Sequence, residues 1–262
     1  MNTSRLKVIT GALLFLASLP TLIVVLSSFN AGEAPKFPPS GWSLHGYGDL
    51  VSDDVIRQAL TRSLMVGLYS VVISLPIGLA ASFALYRYKV RMRGAVTGYL
   101  LLGFSTPLVV SGMAFLVLYY QIGQIGSLFS TSIAVVTVNF PFMLLALGSS
   151  IDLLNPELEE AAGTLGAEKV QTFLLVTLPS VMPGVLMGSV LMFIFGTTEF
   201  LVSLILSTTA NQTLPVVLFS GLRSSLQVRH AAAGGLYIGI ALIVVFLMTQ
   251  VRLLDQFLYR KE

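Results

Sequence analysis

Long apolar runs separated by short charged patches organise the whole chain. No charge occurs between Lys7 and Glu33, and the apolar part, 8–29, is long enough to cross a bilayer, which takes about 20 such residues. A second run, 63–86, lies between Arg62 and Arg87. From Arg93 to Asp152 the chain is uncharged over a stretch too long for one helix. The polar, glycine-containing patch Gln121-Ile122-Gly123-Gln124-Ile125-Gly126-Ser127 divides that stretch into spans at 95–120 and 131–151. A fifth run covers 182–206 and contains one acid, Glu199. A sixth covers 231–252. The pattern predicts an all-α integral membrane protein with six transmembrane helices in a single domain, 1–262.

Composition strengthens this reading. Of the 262 residues 55% are hydrophobic and 10% charged, with a mean hydropathy of +0.87. Soluble domains carry about 25% charged residues, so the solvent for most of this chain is lipid. The first run exceeds the core of a cleavable signal and lacks a small-x-small site after it, so it reads as a retained anchor. Loop charge sets orientation. With the N-terminus inside, Arg5, Lys7, Arg87, Lys89, Arg91, Arg93, Lys169, Arg252, Arg260 and Lys261 collect on the cytoplasmic side. Lys36, Arg57, Arg62, Arg223 and Arg229 remain outside, which places both termini in the cytoplasm. The net charge of +3 is accounted for by these membrane-surface anchors and does not call for nucleic acid. The chain has no cysteine, and its two histidines, His45 and His230, stand apart with no carboxylate at ligand spacing, so no metal site is expected. Both read as surface residues.

The loop between spans four and five, 153–170, is unlike the others. Asn155 before Pro156 is a helix start: asparagine caps free amides and proline fits the first turn. Glu157, Glu159 and Glu160 follow near the positive end of the helix dipole, and Gly166 is a helix stop. A second short helix is expected from Ala167 to Leu178, closed by Pro179. The run Glu160-Ala161-Ala162-x-x-x-Gly166-Ala167, followed by Phe173, Val176, Leu178-Pro179 and Pro183-Gly184, resembles the EAA motif of binding-protein-dependent ABC importer permeases of the type I, MetI-like fold. The resemblance implies a cytoplasmic coupling helix that docks on a separate ATPase. Its contact set is Glu159, Glu160, Ala161, Ala162, Gly166 and Ala167, with Glu160 as the docking carboxylate, the alanines as the close-packing face and Gly166 as the turn.

Weaker signals resemble the spermidine/putrescine branch of those permeases. They are Phe29-Asn30, Phe37-Pro38-Pro39, Gly41, Ser43-Leu44 with Tyr47, Pro107-Leu108-Val109-Val110-x-Gly112, and Thr213-Leu214-Pro215-Val216. Arg62, and Arg229-His230 ahead of the last span, depart from that branch. No lysine follows a glycine, so the chain has no phosphate-binding loop of its own. The resemblance therefore implies ATP and Mg held by partner ATP-binding subunits, a second permease chain that is either a different permease, as in the polyamine branch, or a second copy of this one, and a periplasmic or extracellular solute-binding protein. The implied location is a bacterial inner membrane.

Glu199 is the one acid inside an expected span, where an ionised group must face protein or water. It reads either as a pathway residue attracting a cationic, polyamine-like solute or as a structural acid paired with Arg223 or a partner chain. Tyr119 and Tyr120 fit either an outer mouth that stacks amines or an interfacial aromatic belt. Pro76, Pro141 and the Gly184-x-x-x-Gly188 pair suit kinks and close helix contact. A different class, an ion-driven secondary transporter, would bring internal repeats and midplane charges, and no repeat is found. A membrane-embedded enzyme would need a catalytic cluster in a span, and none is found.

Overall fold

In lipid a backbone must satisfy its own hydrogen bonds, which leaves helices or closed barrels. Here the long apolar runs are helical. The structure is a computed structural model describing residues 3–88 and 91–259, with side chains described over 7–88, 91–103 and 105–246. Of the basic residues that set the expected orientation, Lys89, Arg260 and Lys261 lie outside the described residues, as do the side chains of Arg5 and Arg252.

The helices are α1 (Thr3–Ser27), α2 (His45–Ser52), α3 (Asp54–Ser82), α4 (Arg93–Leu101), α5 (Leu108–Gln121), α6 (Leu128–Asp152), α7 (Pro156–Thr164), α8 (Lys169–Thr172), α9 (Leu178–Thr198), α10 (Leu201–Leu206), α11 (Leu214–Ser224) and α12 (Val228–Tyr259). Among the described residues five continuous helical stretches have the length and hydropathy to cross a membrane: Lys7–Ser27, Asp54–Arg87, Leu128–Asp152, Lys169–Thr198 and Val228–Phe246.

Three expectations need correction. The span expected at 95–120 is two helices, because the chain leaves α4 through a 3-10 turn, Leu102–Phe104, and restarts after Pro107. Proline has no amide hydrogen and drives the residue before it out of the α region. The span expected at 182–206 ends at Thr198, and Glu199 turns to extended backbone (ψ 127°) before α10. Finally, Pro179 does not close a separate short helix: α8 runs through a π-helical turn, Phe173–Thr177, straight into α9. The wider turn spares the proline ring a clash with the carbonyl four residues back. A matching π turn, Phe83–Arg87, ends α3, with Tyr88 N–H donating to the Phe83 carbonyl at 3.1 Å.

The described chain divides into two units. One takes the residues up to 59 together with 216–243. In it Phe29 packs on Trp42 and Tyr47, Asn30 bonds Ser40 and Ala34, and Arg229 pairs with Asp53 at 3.0 Å. The other takes 60–215 with the chain from 244 onward. Its core joins Met143, Leu147 and Val136 of α6 to Met192 of α9. Close approach of these helices depends on Gly184 and Gly188: a β-carbon there would lie 2.5 Å from Ser150 Oγ and from Met143 Sδ respectively. A second cluster sets Tyr119 of α5 and Val202 and Leu206 of α10 against Ala134 and Val135.

Candidate functional site

Helix α7 is a short element with strong stops at both ends. Asn155 Oδ1 accepts from Glu157 N–H at 3.0 Å, which caps the N-terminus. At the other end Gly166 adopts φ +88°, a conformation that glycine takes without a β-carbon clash. Gly166 N–H then bonds the Gly163 carbonyl and Ala167 N–H the Ala162 carbonyl, each at 3.0 Å. This 5→2 and 6→1 pair is a Schellman stop. Glu168 and Gln171 cap one another reciprocally and begin α8.

The two adjacent glutamates of α7 have different surroundings. Glu160 is exposed, as are Ala161, Leu158 and Leu165, whereas Ala162 and Ala167 are half-buried. Glu159, about 100° around the helix, points inward. Arg87 Nη2 donates to its Oε2 at 2.5 Å and Thr177 Oγ1 donates to its Oε1 at 2.6 Å. Burial pushes its pKa up, but the hydrogen bonds from Thr177 and Arg87 and the Arg87 charge outweigh that and hold it below the ordinary value of 4.5. Phe83 and Phe173 meet edge to face beside it at 5.8 Å. Arg87, Glu159, Lys169, Phe173 and Thr177 border a cavity of about 820 Å³. Arg93 approaches Asp152 at 3.6 Å and lies over the Tyr86 ring. Two arginines whose sequence role was only to mark orientation thus meet acids at or just before α7. Nothing in the sequence separates Glu159 from the exposed Glu157 and Glu160, and its inward turn is visible only in the tertiary structure.

The residues expected along a pathway are not brought together. Glu199 sits in the break between α9 and α10, and its carboxylate accepts from Val202 N–H at 3.0 Å and Ser203 N–H at 2.9 Å. It therefore caps α10 locally. Tyr119 is buried and its hydroxyl donates to the Ser130 carbonyl at 2.7 Å, so its ring belongs to the core. Tyr120 is 78% exposed. Arg223 lies over the Phe219 ring at 4.9 Å. The histidines are half-buried instead of lying on the surface: His45 Nδ1 is 3.1 Å from Ser43 Oγ, and His230 Nδ1 accepts from Gln227 N–H.

The fold is that of a helical, multi-span membrane protein with a short, doubly stopped, partly exposed helix between two spans. Residues 74–262 match the family described as binding-protein-dependent transport system inner membrane component, and the chain belongs to that family. It is 27% identical to the spermidine/putrescine transport system permease protein PotC of Haemophilus influenzae, over 87% of this chain and 89% of that one. It is 28% identical to the putrescine transport system permease protein PotI of Escherichia coli K12, over 87% and 83%. It is 30% identical to the sulfate transport system permease protein CysW of a Synechocystis strain, over 93% and 89%. In fold it is similar to a chain of a bacterial ABC transporter involved in import of the acidic polysaccharide alginate, with a TM-score of 0.67 over 96% of each chain at 18% identity. The protein is thus a multi-pass inner-membrane permease subunit of a binding-protein-dependent ABC importer, not an enzyme.

Proposed function

We propose that this chain forms half of a translocation pathway, that α7 is its coupling helix, and that the solute is a small polyamine-like cation. The exposed face of α7 carries the reading: Glu160 stands in solvent among Ala161, Leu158 and Leu165, on a helix whose two ends are internally stopped. Small and apolar groups permit close approach, and a central carboxylate gives a directional, charge-assisted contact. The partner is an ATP-binding subunit that holds ATP and Mg. The other half of the pathway is a second, different permease, and solute arrives on a binding protein. The loop charge count supports α7 and both termini on the cytoplasmic side.

Two observations support the choice of solute. Two of the relatives carry names for spermidine or putrescine transport. Glu199 stands where span five breaks, and broken backbone at membrane depth is tolerated only beside protein or water.

A tagged chain co-expressed with its ATPase tests the coupling surface. Wild type should co-purify the ATPase and Glu160→Lys should lose it, whereas absence of any ATPase with wild type overturns the reading. Calorimetry on the system's solute-binding protein tests the solute. Micromolar binding of putrescine or spermidine is expected, and binding of sulfate alone would discard the cationic solute.

A further inference from the structure

We infer that Glu159 is a positioning residue that ties the coupling helix to the ends of spans two and five, and that it does not dock on the ATPase. This rests on the reading of α7 as the coupling helix. Three observations carry it.

The first is direction. Both Glu159 oxygens are taken by groups of this chain, Arg87 at 2.5 Å and Thr177 at 2.6 Å, while the neighbouring Glu160 is exposed. A carboxylate turned inward onto these two partners would have to leave them to reach an ATPase on the exposed face of α7, which would leave Arg87 half-buried and uncompensated.

The second is topology. Arg87 and Thr177 are 72 and 18 residues from Glu159 in sequence, and each is the last residue of a π-helical turn. One turn ends span two and the other precedes the body of span five. A single carboxylate therefore joins three elements, and the two turns also touch directly through Phe83 and Phe173. π turns carry a wider, less regular hydrogen-bond ring and recur where a helix serves a function.

The third is scarcity of other ties. Among the described residues the only other ion pair near α7 is the longer Arg93–Asp152 contact at 3.6 Å, between side chains 39% and 49% exposed. Such an exposed pair contributes little. Besides the short chain connection 165–168 into span five, the side-chain ties that pass a displacement of α7 to spans two and five, among the described residues, are those of Glu159.

The test uses the full transporter, with its ATPase and binding protein, reassembled in liposomes, and reads two quantities: ATPase retained on purification and solute moved per ATP hydrolysed. Glu159→Gln should keep the ATPase at the wild-type level and lower solute per ATP by about tenfold. Thr177→Val removes one of the two bonds without introducing charge and should lower it by about threefold. The exchange of Arg87→Glu with Glu159→Arg should recover most of the loss, which a residue that docks on the ATPase would not do. If Glu159→Gln strips the ATPase as Glu160→Lys does, Glu159 docks and the inference is wrong. Unchanged solute per ATP in both Glu159→Gln and Thr177→Val overturns it equally. Failure of wild type to hold any ATPase is a separate outcome: it overturns the assignment of α7 and this inference with it.

Discussion

Glu159 and Glu199 are both half-buried acids whose two oxygens are each used, yet they stabilise different things. Glu199 accepts from amides three and four residues ahead, at 3.0 and 2.9 Å, so it shapes its own stretch of chain. Glu159 accepts from side chains on two remote elements and so fixes how separate helices meet. A local cap can be lost and the rest of the bundle keeps its arrangement. A remote tie, when lost, releases elements from one another. The burial of an acid therefore says less about its role than the sequence distance to its partners.

Substitutions can break this contrast, and their expected effects fall in order. Arg87→Glu sets two like charges against each other at the tie and should destabilise by about 2 kcal/mol, less than for a fully buried pair because Arg87 is 32% exposed. Thermal unfolding in detergent reads this. Glu199→Ala leaves two amides of α10 without their acceptor and should cost about 1 kcal/mol, as loss of a helix cap does. Hydrogen exchange should then rise over 201–206 and stay unchanged over α7. The opposite pattern, protection lost at α7, would erase the distinction drawn between the two acids. Thr177→Val should cost about 0.5–1 kcal/mol, one hydrogen bond.

Acid should act last and least. The native Glu159 pKa is depressed, so its contribution is complete above the ordinary value of 4.5 and is lost as pH falls through the lower native value. The charged and titratable groups nearest it are Arg87 and Tyr88 from the end of span two, Lys169 from α8, and Glu157 and Glu160 on α7 itself. In Thr177→Val one of the bonds that lower the pKa is gone, so the loss should begin at a higher pH. A midpoint-versus-pH curve identical in wild type and Thr177→Val would count against the tie.

Much of the architecture was legible because it follows from composition. Apolar length marked the membrane runs, and Asn155-Pro156 and Gly166 marked both ends of α7, since capping and left-handed backbone are chemistry confined to a few adjacent residues. The interruptions were harder to read. Pro107 was visible in the sequence, but hydropathy is blind to a bend, so 95–120 read as one helix. Glu199 was visible as an acid, although its use as a cap depends on backbone geometry at ψ 127°. The π turn at Phe83–Arg87 leaves no compositional trace, because a shift from four-residue to five-residue bonding changes no side chain. The partners Arg87 and Thr177 are tertiary facts. Arg229, an odd residue against the polyamine pattern, has a structural use of its own in its pair with Asp53.

The π turn at Phe173–Thr177 has a consequence for chain length. Every residue added to an α-helix advances it by 1.5 Å and swings the remainder of the helix through about 100°. A π turn accommodates one residue more than an α turn, so it acts as a place where spare chain is stored without re-aiming the helix beyond it. Removing Leu174 should then leave Gly184, Gly188 and Met192 still turned toward α6, at the cost of bringing the Pro179 ring back against the carbonyl four residues before it. Removing Val190, a few turns on, has no slack to draw on and should swing Met192 out of the core. Span five thus keeps its packed face when a residue is missing at that end and loses it when one is missing in the middle.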